Sequence, residues 1–83
     1  MSVENPVRCA VLGAGSFGTC LAILLAEKGH QVDLSARDAQ LVDAIEKARR
    51  NPRYLTDFAL PDAIRPTTSL SRALDDKELV ISV

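Results

Sequence analysis

The sequence has few of the residues that mark specialised classes of protein. It contains no tryptophan, one tyrosine, two phenylalanines, one histidine and two cysteines. Because the spacing of Cys9 and Cys20 fits no C-x-x-C or zinc-binding pattern, neither a disulfide framework nor a metal site is expected. Free thiols are typical of proteins in a reducing compartment, so we expect a cytoplasmic protein.

The chain also lacks an excess of charge of one sign and a long apolar run. Ten basic residues against eleven acidic residues give a formal net charge of −1, and basic residues cluster only at Arg49 and Arg50. Nucleic acid is therefore not an expected partner. The longest nearly unbroken apolar stretch, residues 20–26, is far shorter than the roughly 20 residues of a membrane-spanning helix, so no membrane span is expected.

Segments with strand and helix patterns alternate along the chain. Short apolar or β-branched runs predict strands, and longer segments with apolar residues on one side predict helices. The predicted strands cover residues 7–12, 31–35, 64–67 and 79–83, and the predicted helices cover residues 16–28, 39–50 and 69–74. The order β-α-β-α-β-α-β predicts an α/β fold with a parallel sheet, because each helix must bury its apolar side on a sheet face.

Several local features refine this prediction. Asp38 is the predicted N-cap of the second helix, and Asn51 with Pro52 is its predicted stop. The irregular connection over residues 51–63 is expected to be anchored on the core by its larger apolar side chains, Tyr54, Leu55 and Phe58. Both cysteines are expected to be buried, and the charged residues 75–78 are expected to form a solvated turn before a buried strand.

The last predicted strand runs up to Val83 with no turn or cap after it. We therefore expect residues 1–83 to be the amino-terminal part of a larger α/β domain, incomplete at its carboxyl end, with further strands and a substrate domain beyond it.

The feature that points to chemistry is the run Gly13-Ala14-Gly15-Ser16-Phe17-Gly18, which matches G-x-G-x-x-G. It follows a predicted strand directly, opens a predicted helix and lies in a β-α-β unit of about 30 residues, which is the context of a Rossmann-type dinucleotide-binding motif. Gly13 permits the turn out of the strand, Gly15 lets the backbone approach a pyrophosphate, and Gly18 allows the helix to pack closely. Ser16 and Phe17 lie in the first helical turn, where the hydroxyl can donate to a phosphate and the ring can cover the cofactor or turn into the core.

Two neighbouring residues compete to recognise the adenosine ribose. Asp38 lies about 20 residues past the motif, where a carboxylate accepts from the 2′-hydroxyl of NAD. Arg37, just after the second strand, offers a guanidinium to the 2′-phosphate of NADP. The Arg37 guanidinium favours NADP over NAD, although it can also stack on an adenine, and Asp38 has a competing role as the natural cap of the second helix.

Larger parts of the chain resemble a known family. The run AVLGAGSFGTCLAILLAEKGHQVDLSARD, the segment NPRYL and the stretches LPDAIRPTTSLSRAL and LVISV resemble the amino-terminal region of the bacterial-type NAD(P)-dependent glycerol-3-phosphate dehydrogenases. The resemblance extends over residues 7–83. Its most specific parts are GAGSFGT, the Arg37-Asp38 pair and NPRYL.

The resemblance implies an oxidoreductase of glycerophospholipid biosynthesis that interconverts dihydroxyacetone phosphate and sn-glycerol 3-phosphate with NAD(P)H. It implies that Ser16 and Phe17 contact the nucleotide, that Arg37 binds the 2′-phosphate and that Tyr54 makes a further cofactor contact. The catalytic lysine and the site for the small phosphorylated substrate would lie in later sequence, so no residue of this chain is predicted to be catalytic. A homodimer of the whole enzyme is compatible with the resemblance.

Two other functions stay open from the residues themselves, which lead only as far as dinucleotide binding. One is another two-domain NAD(P)-dependent dehydrogenase, of the hydroxyacid or nucleotide-sugar type. The other is a non-catalytic dinucleotide-sensing module that controls a partner.

Overall fold

A computed structural model of the chain describes residues 6–55 and 57–83. Within them the elements follow the predicted order: β1 (Arg8–Leu12), α1 (Ser16–Glu27), β2 (Gln31–Ser35), α2 (Ala39–Ala48), β3 (Ile64–Thr67), α3 (Leu70–Leu74) and β4 (Leu79–Ser82). The predicted elements are all present: β2 and β3 have the predicted ends, and the ends of the others differ from the predicted ones by at most two residues.

The four strands form one parallel sheet in the order β3-β2-β1-β4. Val11 of β1 lies between Leu34 of β2 and Ile81 of β4 in the register of the sheet. The chain moves outward from β1 to β3 and then returns to the other side of β1, so the direction of winding reverses beside β1. In open parallel sheets a crevice for ligands lies at the carboxyl ends of the strands at such a reversal.

One face of the sheet holds the apolar core. Alternate residues of β1 and β2 are buried there, and they pack with the inner sides of α1 and α2. The buried cluster includes Cys9, Val11, Val32, Leu34, Ala22, Ala26, Leu41 and Ile45. The predicted apolar stripe of α2 is buried in part: Leu41 and Ile45, four residues apart, are buried, whereas Val42 is partly buried and Ala48 is exposed.

The opposite face carries a buried ion-pair network beneath α3. The side chain of Asp33 in β2 is only 2% exposed, and its carboxylate lies 3.0 Å from Arg65 Nε and 3.0 Å from Lys77 Nζ. Lys77 is 7% exposed and also donates hydrogen bonds to two backbone carbonyls at the end of α3. The prediction of a solvated turn at residues 75–78 is wrong for Lys77, because its ammonium balances the charge of a carboxylate inside the sheet.

The connection between α2 and β3 is anchored differently from the prediction. Tyr54 and Phe58 are exposed, and Leu55 is only partly buried. Arg49, which ends α2 in the left-handed conformation at φ 54°, donates through its guanidinium to the carbonyls of Pro61 (2.7 Å) and Ile64 (2.8 Å). The connection is therefore held by hydrogen bonds from the Arg49 guanidinium to backbone carbonyls and by the buried side chain of Leu60, not by the three side chains that were expected to anchor it.

Surface exposure differs from the prediction in two further places. Cys20 on α1 is exposed, whereas Cys9 on β1 is buried as expected. Leu79 and Val80 of β4 are also exposed, although this strand was expected to be buried. No helix in the described part of the chain is long and apolar enough to cross a membrane.

Candidate functional site

The glycine-rich loop leads from the end of β1 into α1. The amide of Gly13 donates to the carbonyl of Ser35 at 2.9 Å, which joins the loop to the end of β2. Gly15 is the N-cap of α1 and has no side chain to bind the first amides of the helix. These amides lack acceptors within the helix and lie at the positive end of its dipole, so they are suited to binding an anion.

The three glycines of the motif differ in what surrounds them. A Cβ on Gly18 would lie 1.8 Å from the carbonyl oxygen of Gly13, so close packing of α1 on the loop requires a glycine there. Gly13 has φ +123°, and its Cβ would lie 3.0 Å from a methyl carbon of Val83. A Cβ on Gly15 would have no atom within 4 Å apart from its own chain neighbours. Packing among the described residues therefore explains two of the glycines but not Gly15.

A cleft of about 650 Å³ opens at the carboxyl ends of β1, β2 and β4, in front of Gly15. Its lining comes from segments that are far apart in sequence: residues 12–15, 35–38, Leu41, 53–54, Thr68, Leu70 and 82–83. The cleft lies at the reversal of winding beside β1, where parallel sheets bind ligands.

The cleft brings together four of the seven residues predicted to bind a cofactor, namely Gly13, Gly15, Arg37 and Tyr54. Ser16 and Phe17 are exposed in the first turn of α1, and Phe17 is 67% exposed. The ring of Phe17 is therefore outside the core, and it is not part of the cleft lining. Gly18 is buried against Gly13. The cofactor-binding roles of all seven residues stay predictions.

One end of the cleft carries three charged residues, Arg37, Asp38 and Arg53. Asp38 is the N-cap of α2, as predicted, and its Oδ1 accepts from the amides of Gln40 (2.9 Å) and Leu41 (3.3 Å). Its Oδ2 pairs with the guanidinium of Arg53. The pKa of the Asp38 carboxyl lies below its usual range. The largest cause is the hydrogen bond from Arg53, and the hydrogen bonds from the two amides lower the pKa further.

Asn51 is the positioning residue that the sequence interpretation missed. Its side chain is fully buried, and its Nδ2 donates to the Ala14 carbonyl (3.0 Å) and to Thr19 Oγ1 (2.9 Å). Its Oδ1 accepts from the amides of Arg53 (3.0 Å) and Tyr54 (3.1 Å). One amide side chain therefore joins the glycine-rich loop to the turn that carries Arg53 and Tyr54. The sequence signals were the Asn-Pro pair, which also fits a simple helix stop, and the place of Asn51 at the start of the family segment NPRYL.

The remaining reactive side chains lie away from the cleft lining. Burial raises the pKa of the Cys9 thiol, and the negative charge of Glu78 raises it further. This cysteine is therefore a poor nucleophile. His30 Nδ1 accepts a hydrogen bond from the Val7 amide near the amino ends of the strands, opposite the cleft. In residues 6–55 and 57–83 there is no group of three or more histidine, cysteine or acidic side chains that could hold a metal ion.

Comparison with known proteins decides the family. The sequence profile of the NAD-dependent glycerol-3-phosphate dehydrogenase N-terminus matches residues 8–83. The chain belongs to this family. The glycerol-3-phosphate dehydrogenases (NAD(P)+) of Xanthomonas campestris and Stenotrophomonas maltophilia are each 49% identical to it over 76 residues, which cover 92% of this chain and 22% of the relative. The chain thus spans about a fifth of the length of these relatives.

Solved structures agree with the sequence comparison. The crystal structure of glycerol-3-phosphate dehydrogenase from Coxiella burnetii superposes with a TM-score of 0.88 at 32% identity, covering 93% of this chain and 24% of that chain. The Plasmodium falciparum glycerol-3-phosphate dehydrogenase superposes with a TM-score of 0.83 at 21% identity, which supports the fold alone. The predicted family and the predicted Rossmann-type parallel sheet are both confirmed.

Proposed function

We propose that this chain is the dinucleotide-binding part of a dehydrogenase that interconverts dihydroxyacetone phosphate and sn-glycerol 3-phosphate with NAD(P)H. Family membership and the names of the relatives support the reaction. The cleft supports the part played by this chain, because its loop, helix terminus and guanidinium groups suit a ligand with several phosphates.

The observation that carries the proposal is the open space beside Gly15. Residue 15 has ordinary extended backbone angles, φ −76° and ψ −170°, which any amino acid can adopt. Neither backbone strain nor packing explains a glycine at this position. A ligand that lies close against the backbone does explain it, and in this fold that ligand is the pyrophosphate of a dinucleotide.

The residues of the chain would bind and orient the dinucleotide. The amides at the start of α1 would donate to the pyrophosphate, with the Ser16 hydroxyl as a further donor. Phe17 and Tyr54 would cover the nucleotide, and Arg37 would bind the adenosine end and favour NADP over NAD. When bound, the nicotinamide supplies the hydride chemistry. We assign no catalytic residue to this chain, and we place the phosphorylated substrate in sequence outside it.

The proposal is tested by replacing Gly15 with valine in the full-length gene product. The valine side chain would occupy the space of the pyrophosphate, so we expect the dissociation constants of NADPH and NADH to rise by more than about tenfold. The matched control is Cys20→Val, which places the same side chain at an exposed position on the same helix. Calorimetric titration measures both variants, and unchanged affinity in Gly15→Val with a normal fold would contradict the proposal.

A turnover assay tests the reaction separately from binding. The full-length gene product is expected to oxidise NADPH when dihydroxyacetone phosphate is added. Binding of the dinucleotide without turnover of this substrate would leave the cofactor site in place and reject the assigned reaction.

A further inference from the structure

We propose that Arg53 determines cofactor specificity. Its guanidinium neutralises Asp38 and adds a second positive charge to the cleft that Arg37 lines, so that the cleft selects a 2′-phosphorylated adenosine. The inference rests on the proposed dinucleotide function and deepens it. Nothing in the G-x-G-x-x-G pattern identifies Arg53, which lies 15 residues after Asp38.

The hydrogen bonding of Asp38 is the first observation. For a carboxylate at the end of β2 to select NAD, it must accept a hydrogen bond from the ribose 2′-hydroxyl. Both oxygens of Asp38 already accept hydrogen bonds, Oδ1 from two amides of α2 and Oδ2 from Arg53. A ribose hydroxyl would have to share Oδ2 with Arg53 or displace the charge-assisted bond from Arg53, which is stronger than a neutral one.

The charge balance of the cleft is the second observation. Arg37, Asp38 and Arg53 are the charged residues of its lining, so their formal sum is +1. Without Arg53 the sum is zero, and the Asp38 carboxylate would repel a 2′-phosphate. The side chain of Arg53 is half exposed and can therefore bind an incoming phosphate while it stays beside Asp38.

The fixed position of Arg53 is the third observation. Its amide is bound by Asn51, the same buried side chain that binds the Ala14 carbonyl in the glycine-rich loop. The following residue, Tyr54, is bound by the same oxygen. The backbone of Arg53 is therefore held in a set position relative to the loop, and this preorganisation reduces the entropy lost when a phosphate binds.

The test compares two pairs of ligands in the full-length gene product. NADPH and 2′,5′-ADP carry the 2′-phosphate, whereas NADH and 5′-AMP do not, and the two smaller ligands report the adenosine end without the nicotinamide. For Arg53→Ala we expect the dissociation constants of the 2′-phosphorylated ligands to rise about tenfold. A tenfold change matches the lower end of the free-energy range for a hydrogen bond to a charged group. The affinities for NADH and 5′-AMP should not fall.

Two further variants separate specificity from a structural role. Arg53→Lys keeps the positive charge and should restore part of the preference for the 2′-phosphate. Asp38→Asn keeps an N-cap residue of equal quality and removes the negative charge, so it should tighten the binding of NADPH and 2′,5′-ADP. The control is Lys47→Ala, which removes a positive charge from an exposed ion pair of α2 with Asp43. It should change none of the four affinities by more than about twofold, because exposed pairs are weak and screened.

The outcomes distinguish the inference from the proposed function. Equal losses of affinity in Arg53→Ala for ligands with and without the 2′-phosphate would overturn this inference but not the proposed function. A disturbed turn would weaken the binding of every ligand alike. If Arg53→Ala does not fold, Asp38→Asn decides, and a loss of NADH affinity in that variant would show that the carboxylate reads the ribose. Failure of the unmodified protein to bind either dinucleotide would overturn the proposed function and the inference with it.

Discussion

Replacement of Asn51 by alanine should damage both the fold and the cleft. The change removes two donated and two accepted hydrogen bonds from a fully buried side chain. The Ala14 carbonyl and the Thr19 hydroxyl then lose their buried partner, although Thr19 still donates to Ala14 at 3.4 Å. A buried polar group left unsatisfied costs about 1 to 3 kcal/mol, so we expect Asn51→Ala to lower the free energy of unfolding by about 2 to 4 kcal/mol.

Urea denaturation of the full-length gene product, followed by far-ultraviolet circular dichroism, measures this loss. Asn51→Asp separates the two kinds of hydrogen bond. It keeps the acceptor for the Arg53 and Tyr54 amides but loses the donor to the Ala14 carbonyl. Its carboxylate should destabilise the protein at neutral pH. Its stability relative to the unmodified protein should then improve as the pH falls and the protonated carboxyl becomes a donor.

Gln40→Ala is the matched control, because it removes an amide side chain from an exposed position at the start of α2. It should change the free energy of unfolding by less than about 0.5 kcal/mol. An equally small change in Asn51→Ala would refute the reasoning, because the four hydrogen bonds would then contribute nothing net to the fold.

Two further predictions concern buried groups outside the cleft. Lys77→Met should lower the free energy of unfolding by about 3 kcal/mol, because Asp33 would lose a buried counter-charge, and the double variant with Asp33→Val should recover most of that loss in urea denaturation. Labelling of the native protein with a thiol reagent should modify Cys20 within minutes and spare Cys9, whose thiol is buried. Equal rates for the two cysteines would show that β1 opens readily.

The fold could be predicted from the sequence because its signals are local. The apolar run before Gly13, the helical spacing of Leu41 and Ile45 and the capping residue Asp38 each act within a few positions of the chain. Parallel strands with helical connections then leave few arrangements of the sheet.

Two of the errors concern side chains whose partners are distant in sequence. Lys77 looked like part of a charged turn because its partner, Asp33, lies in a strand more than 40 residues earlier. Asn51 looked like a helix stop because its hydrogen bonds to residues 14 and 19 exist only after the loop and α1 have packed. Local composition gives no information about such pairs.

The sequence likewise predicted the parts of the candidate site that local patterns determine and missed the part that depends on a tertiary contact. Glycine spacing identified the glycine-rich loop that lines the cleft, and proximity to the end of β2 brought Arg37 and Asp38 into consideration. The pairing of Asp38 with Arg53 was hidden because it joins two segments that the sequence pattern does not connect. Under the proposed function, the choice between a carboxylate and a guanidinium as the group that recognises the ribose depends on this tertiary contact.

The most direct test of dinucleotide binding at the glycine-rich loop is an NMR titration of the full-length gene product labelled with ¹⁵N-glycine. This chain has four glycines: Gly13, Gly15 and Gly18 lie at the loop, and Gly29 follows α1 at the opposite end of the sheet. On addition of NADPH we predict that the amide signals of the three loop glycines shift strongly while Gly29 does not. Shifts at Gly29 alone, or saturation of binding with no shift at Gly15, would contradict binding at the loop.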